Sequence, residues 1–239
     1  MFLFSTFALW FGRRNFEEYG LTLKNARSNL AIGLLAGLLA IAGLVLVVIL
    51  LPHHANAPRL GMAEGLVGAA AYLAGAGIMV LIFRHETGFL YHIPPIFSLA
   101  LVFGLLLLPV IIAFHFHRPV SKVASTAAWT FFCAGFGEET FFRGYIQSRV
   151  NLAFGRPWRI LGTEFGWGVI ISSVLFGLLH VLNTCDYFRG HFEFAWWYGC
   201  MAVFSGLFYG CLREKTGSIL AGGIAHGLGD VLAQTARFL

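Results

Sequence analysis

Residues 30–51 contain no charged side chain over 22 consecutive positions. About 20 mainly apolar residues in an α-helix are enough to cross the hydrocarbon core of a bilayer. Further runs of comparable length follow at 65–83, 96–114, 123–150, 166–182, 194–212 and 218–235. The sequence therefore predicts an all-α fold, a polytopic transmembrane helix bundle with about seven spans.

The composition agrees with a multi-pass integral membrane protein. The 239 residues are 58% hydrophobic and 11% charged, whereas soluble domains carry about 25% charged residues. The Arg and Lys residues behind the net charge of +5 lie mostly between the apolar runs, as anchors at anionic headgroups do. We therefore expect the lipid bilayer as a partner and no nucleic acid.

No linker divides the chain, so residues 1–239 are interpreted as one membrane domain. Its first 29 residues are interpreted as an N-terminal interfacial segment, because the apolar run at 1–11 is too short to span.

The sequence GEETFFR at residues 137–143 places two carboxylates and an arginine in a largely apolar region. A carboxylate at membrane depth costs at least about 2.5 kcal/mol, so such a residue is a functional-site hypothesis. Glu139 and Arg143 stand four apart, in the favourable order for an ion pair on one helix face. Glu138 points about 100° away and has no such local partner. We interpret Glu139 and Arg143 as structural support and Glu138 as the working acid.

Two later runs carry pairs of residues at helical spacing. Phe176 and His180 are four apart, and so are His226 and Asp230, so each pair shares one helix face. Three helices can then direct Glu138, His180, His226 and Asp230 into one cavity of the bundle. A carboxylate beside imidazoles can activate water as a general base, and the remaining donors can stabilise an oxyanion.

These residues resemble the motifs of the CAAX protease and bacteriocin-processing (CPBP or Abi) family of intramembrane glutamic-type endopeptidases, formerly described as metallopeptidases. The family motifs are EExxxR, FxxxH and HxxxN or a near variant. They correspond here to residues 138–143, 176–180 and 226–230, in the family order. The resemblance identifies residues 121–236 as the catalytic core.

The resemblance implies an endopeptidase that hydrolyses a peptide bond in a membrane-associated protein or peptide, in CAAX-type or in sorting- or bacteriocin-type processing. It implies that Glu138, helped by His180, polarises the attacking water, and that His226 and Asp230 hold the oxyanion. It also implies a prokaryotic inner-membrane protein.

Asp230 departs from the family pattern, because eukaryotic CAAX-processing members carry Asn at this position. An ionised Asp cannot donate a hydrogen bond. Asp230 is therefore protonated, which a desolvated site favours, or it orients His226, or it ligates a metal. Zinc accepts such ligands, namely Glu138, His180, His226 and Asp230, but the chain has no HExxH motif. The preferred hypothesis is a mechanism that requires no cofactor and no metal. The alternative hypothesis is a zinc site.

Two other functions compete with proteolysis. A member of the same family can act without cleavage, in bacteriocin self-immunity or as a scaffold. Buried acids and histidines also mark ion paths in transporters. A transporter would more often show inverted repeats and helices broken in both halves, which the sequence lacks.

Overall fold

The computed structural model describes residues 1–51, 60–84, 92–160 and 162–238. This part of the chain is almost entirely helical, which confirms the predicted all-α membrane bundle. Its helices are α1 (Phe2–Phe11), α2 (Ala26–Leu50), α3 (Met62–Arg84), α4 (Pro95–His115), α5 (residues 120–154), α6 (Trp167–Val181), α7 (Trp196–Thr216) and α8 (Leu220–Thr235). Short 3-10 turns, Leu182–Thr184 and Ala236–Phe238, extend α6 and α8.

Each of the seven apolar runs coincides with one helix from α2 to α8. Four of these, α2, α3, α4 and α6 with its 3-10 turn, are long and apolar enough to cross a membrane. The total of seven spans stays a prediction. The sequence analysis did not predict the short antiparallel hairpin of β1 (Trp158–Ile160) and β2 (Thr163–Phe165), which joins α5 to α6.

Helix α5, which carries the acidic motif, alternates between two hydrogen-bonding patterns. Its α-helical segments are Val120–Ala128, Gly137–Glu139 and Ser148–Phe154, and its π-helical segments are Trp129–Phe136 and Thr140–Gln147. π-Helical turns are rare and occur frequently at functional sites. Glu138 and Glu139 thus lie in one short α-helical segment between two π-helical segments, whose turns are wider.

Helix α8 is the centre of the bundle, because it is buried without interruption from Ala221 to Leu228. Small residues let its neighbours approach closely. A Cβ added to Gly33 of α2 would lie 3.0 Å from the Cα of Ala221, and one added to Gly135 of α5 would lie 2.6 Å from the Cα of Gly227. Such backbone contacts are typical of membrane helix packing. The second contact brings the acidic motif of α5 against His226 of α8.

A buried polar network joins α5 to α7 at the other end of the bundle. The carboxylate of Glu214 accepts hydrogen bonds from Gln147 Nε2 (2.8 Å) and Asn151 Nδ2 (2.5 Å) and pairs with Arg156 Nε (2.9 Å). Asn151 Oδ1 in turn accepts from the backbone N–H of Gly168 on α6. Because Glu214 is satisfied on both oxygens, it is a structural acid that holds three helices in register.

The N-terminal helix α1 packs on α5 through Phe4, whose ring centroid lies 6.2 Å from that of Phe141 and 6.5 Å from that of Tyr145. Other large side chains of α1, including Phe7 and Trp10, are exposed. The interfacial placement of residues 1–29 stays a prediction.

Candidate active site

The structure brings Glu138, His180, His226 and Asp230 together from three helices. Glu138 lies in the α-helical turn of α5, His180 in the last turn of α6, and the other two on α8. Glu138 Oε2 lies 3.9 Å from His180 Nε2 and 4.0 Å from His226 Nε2, and His226 Nε2 lies 3.5 Å from Asp230 Oδ2. The four side chains therefore form one cluster at the centre of the bundle.

Glu138 is the acid at the middle of this cluster. Its Oε2 is buried and makes no hydrogen bond with the described residues. The distances of 3.9 and 4.0 Å to the two imidazole nitrogens are too long for direct hydrogen bonds. They are the separations that one bridging water would span. The carboxylate is thus placed to act on a water that one of the two imidazoles also contacts.

His180 is oriented by its own helix. Its Nδ1 lies 2.8 Å from the carbonyl oxygen of Phe176, and because a carbonyl only accepts, Nδ1 carries the proton. In the neutral ring, the lone pair of Nε2 then faces Glu138. The Phe176 and Tyr198 rings pack against the His180 imidazole at tilted angles, and their centroids lie 4.3 and 5.3 Å from the imidazole centroid. His180 can therefore accept a hydrogen bond from a water that Glu138 also contacts.

His226 is held by one contact at the edge of its ring and by another on the face of its ring. Its Nδ1 lies 3.2 Å from Glu139 Oε1, and its ring stacks on Tyr209 with a centroid distance of 4.9 Å. The opposite nitrogen, Nε2, faces Glu138 and Asp230. When Nε2 is protonated, it can donate to negative charge that develops on a substrate oxygen.

Glu139 and Arg143 are both completely buried, with Arg143 Nε 3.5 Å from Glu139 Oε2. The guanidinium carbon also lies 4.6 Å from the ring centroid of Phe176 and 5.9 Å from that of Tyr209. Buried cations on aromatic faces gain about 2 kcal/mol when desolvated. Arg143 thus balances the charge of Glu139 and packs on two rings that contact the histidines.

The arrangement of the possible donors decides whether a metal ion fits the site. Among the residues that the structure describes, no group of three or more His, Cys, Asp or Glu side chains is placed to hold a metal ion. Glu138, His180, His226 and Asp230 in their present arrangement therefore do not fit a metal site. The mechanism proposed for them uses no metal. The expectation that no cofactor is required stays a prediction.

A cavity of about 350 Å³ opens beside Asp230, between α2, α3, α7 and α8. Most of its wall is apolar, as is common in ligand pockets. Its polar lining consists of Tyr72, Tyr198, Asp230, Gln234 and Arg237. An apolar segment of a bound molecule would fit in it beside the catalytic cluster.

The sequence analysis did not place Tyr198 among the candidate site residues, because it follows Trp196 and Trp197 in an aromatic run at the start of α7. Both tryptophans are exposed, but Tyr198 lies against His180 and lines the cavity. A signal was present, because two residues along a helix correspond to a rotation of about 200°. Tyr198 therefore faces away from Trp196.

Residues 119–232 are similar to a known protein family. A model of the family described as "Type II CAAX prenyl endopeptidase Rce1-like" matches residues 119–232, just under half of the chain. The match runs from α5 to α8 and includes all seven defined positions of the three motifs, which confirms the resemblance for this region. No curated protein and no solved structure shows significant similarity to the chain.

Proposed function

We propose, on the premise that residues 119–232 belong to the type II CAAX prenyl endopeptidase family, that this integral membrane protein is an intramembrane endopeptidase. It hydrolyses a peptide bond in a membrane-associated protein or peptide. The observation that carries the proposal is the buried Oε2 of Glu138, which makes no hydrogen bond with the described residues and lies 3.9 and 4.0 Å from two imidazole nitrogens.

Glu138 acts as the general base in this mechanism. It removes a proton from water while His180 Nε2 accepts the second hydrogen bond of that water. The water oxygen bonds to the carbonyl carbon, and the carbonyl electron pair moves onto the oxygen. Glu138 then returns the proton to the leaving amine as the C–N bond breaks. General acid–base catalysis of this kind contributes roughly 10²–10⁴-fold to a rate.

His226 stabilises the oxyanion that forms on the carbonyl oxygen. Its Nε2–H donates to the charged oxygen while Glu139 holds Nδ1. Asp230, 3.5 Å from Nε2, orients the ring or, when protonated, donates as well. Removal of one such donor typically costs about 10²–10³ in kcat.

The cavity beside Asp230 supports a substrate with an apolar segment next to the cleaved bond. The family description supports CAAX-type processing, in which that segment is a prenylated C-terminal tail. Sorting- or bacteriocin-type processing would place an unmodified apolar peptide in the same cavity.

The experiment uses purified protein in liposomes and two peptides of one sequence, a farnesylated CAAX peptide and its unprenylated form. Fragments are identified by mass spectrometry. We expect cleavage of at least one peptide, and Glu138→Gln should lower the rate by at least about 10²-fold. Glu164→Gln, the same change on exposed strand β2, serves as the control.

Cleavage of only the prenylated peptide would assign CAAX-type processing. Wild-type turnover by Glu138→Gln would remove the base from the mechanism. If the wild type cleaves neither peptide, the proposal fails and a non-proteolytic role in immunity or scaffolding is favoured.

A further inference from the structure

We propose that Tyr198 is a further catalytic residue, whose phenol O–H donates a hydrogen bond to the carbonyl oxygen of the cleaved bond as that oxygen becomes negatively charged. This inference rests on the proposed function. It arises from the donors available around Asp230 and from the position of Tyr198 on the cavity wall.

The catalytic cluster contains more acidic side chains than hydrogen-bond donors. Glu138, Glu139 and Asp230 all lie around His226, at 4.0, 3.2 and 3.5 Å from its ring nitrogens. An ionised carboxylate only accepts hydrogen bonds, so when the three acids are ionised His226 Nε2 is the one donor that these four side chains direct at an oxyanion. Sites that stabilise such charge usually present more than one donor.

Tyr198 lies where a second donor is needed. Its ring centroid is 5.3 Å from that of His180, and its side chain lines the cavity together with Asp230. Tyr198 thus borders both His180 and the apolar cavity that Asp230 lines.

The backbone next to Tyr198 is closely packed. A Cβ added to the next residue, Gly199, would lie 2.8 Å from the carbonyl oxygen of Gly177, so α7 is pressed against α6 at this point. His180 is one turn beyond Gly177 on α6. This close crossing fixes the distance between the phenol and the histidine, as precise catalytic positioning requires.

Tyr198 is half-buried on the cavity wall, and its phenol makes no hydrogen bond with any residue in the described ranges. The second tyrosine of the cavity differs, because the hydroxyl of Tyr72 lies 3.4 Å from that of Tyr209. Other donors of the lining are farther along α8. Gln234 and Arg237 are four and seven residues beyond Asp230, which corresponds to about 6 and 10 Å of helix.

A phenol suits the task because it keeps its proton at neutral pH and adds no charge to a site rich in carboxylates. The carbonyl oxygen carries full negative charge only after the water has attacked. A hydrogen bond from Tyr198 therefore strengthens in the transition state, and its loss should appear in kcat rather than in KM.

The test replaces Tyr198 with Phe, which keeps the ring and its contact with His180 and removes only the hydroxyl. With the peptide that the wild type cleaves in liposomes, we expect kcat to fall about 10²-fold and KM to change less than twofold. The midpoint of thermal unfolding should not fall, because the hydroxyl makes no hydrogen bond with the residues that the structure describes. Tyr187→Phe, the same change on an exposed loop, is the matched control.

Three outcomes would overturn the inference: kcat of Tyr198→Phe within twofold of the wild type, a rise in KM alone, or a loss of activity that follows a lower unfolding midpoint. Each of these leaves the proposed function intact, because the wild type still cleaves. If the wild type cleaves neither peptide, the proposed function itself fails and the inference falls with it.

Discussion

Glu139 Oε1 lies 3.2 Å from Nδ1 of His226, although the two residues are 87 positions apart in the chain. The other carboxylate oxygen, Oε2, faces Nε of Arg143 at 3.5 Å. Glu139 therefore uses one oxygen to orient the histidine of α8 and the other to balance the arginine of its own helix. The support that Glu139 gives to the site extends from α5 to α8.

The two adjacent glutamates should respond differently to the same substitution. Glu138→Gln should abolish cleavage with little change in the unfolding midpoint, because Glu138 Oε2 makes no hydrogen bond with the described residues. Glu139→Gln should lower stability as well as activity, because Arg143 and His226 both lose a charged partner in the bundle interior. Thermal unfolding and cleavage rates of the two variants provide the measurement. Equal unfolding midpoints would contradict the division of roles.

Arg143→Ala should be strongly destabilising. Both members of its ion pair are completely buried, and removal of one partner from a buried pair costs about 3–5 kcal/mol. Arg189→Ala is the matched control, because its pair with Asp186 is largely exposed and such pairs contribute about 0–1 kcal/mol. Unfolding of both variants in the same detergent gives the comparison. A stable but inactive Arg143→Ala would instead place Arg143 in the catalytic step.

Run length and spacing predicted the helices and the residues that meet at the site. Apolar runs mark helices because spanning segments must be long, and a spacing of four places two side chains on one face. The pairing of Glu139 with His226 was not predictable, because it depends on how α5 packs on α8. The π-helical segments that flank Glu138 also escaped prediction, since no local residue pattern distinguishes them from α-helix.

The crossing of α5 and α8 provides a further prediction. A Cβ on Gly135 would lie 2.6 Å from the Cα of Gly227, so Gly135→Ala should push the two helices apart and move His226 away from Glu138. We expect a loss of about 1–3 kcal/mol in stability and a marked loss of activity. Gly104→Ala is the control, because a Cβ there meets no atom within 4 Å. Normal cleavage by Gly135→Ala would show that the site tolerates this displacement.

The last prediction concerns Asp230 and the need for a metal. Asp230 Oδ2 lies 3.5 Å from His226 Nε2, a position that suits an orienting acid or a protonated donor. If Asp230 were instead a metal ligand, Asp230→Asn should weaken metal binding and activity together. If the site works without a metal, Asn can take over the donor role, because its amide donates hydrogen bonds at any protonation state of the site.

We therefore expect Asp230→Asn to keep part of its activity, and wild-type protein to keep its activity after strong chelation. The measurement combines elemental analysis of the purified protein with cleavage rates before and after chelation, for the wild type and for Asp230→Asn. Asp186→Asn, on the exposed loop between α6 and α7, controls for the substitution itself. Stoichiometric zinc, with activity lost on chelation and restored by added metal, would overturn the metal-free mechanism, because the carboxyl group at 230 would then act as a ligand.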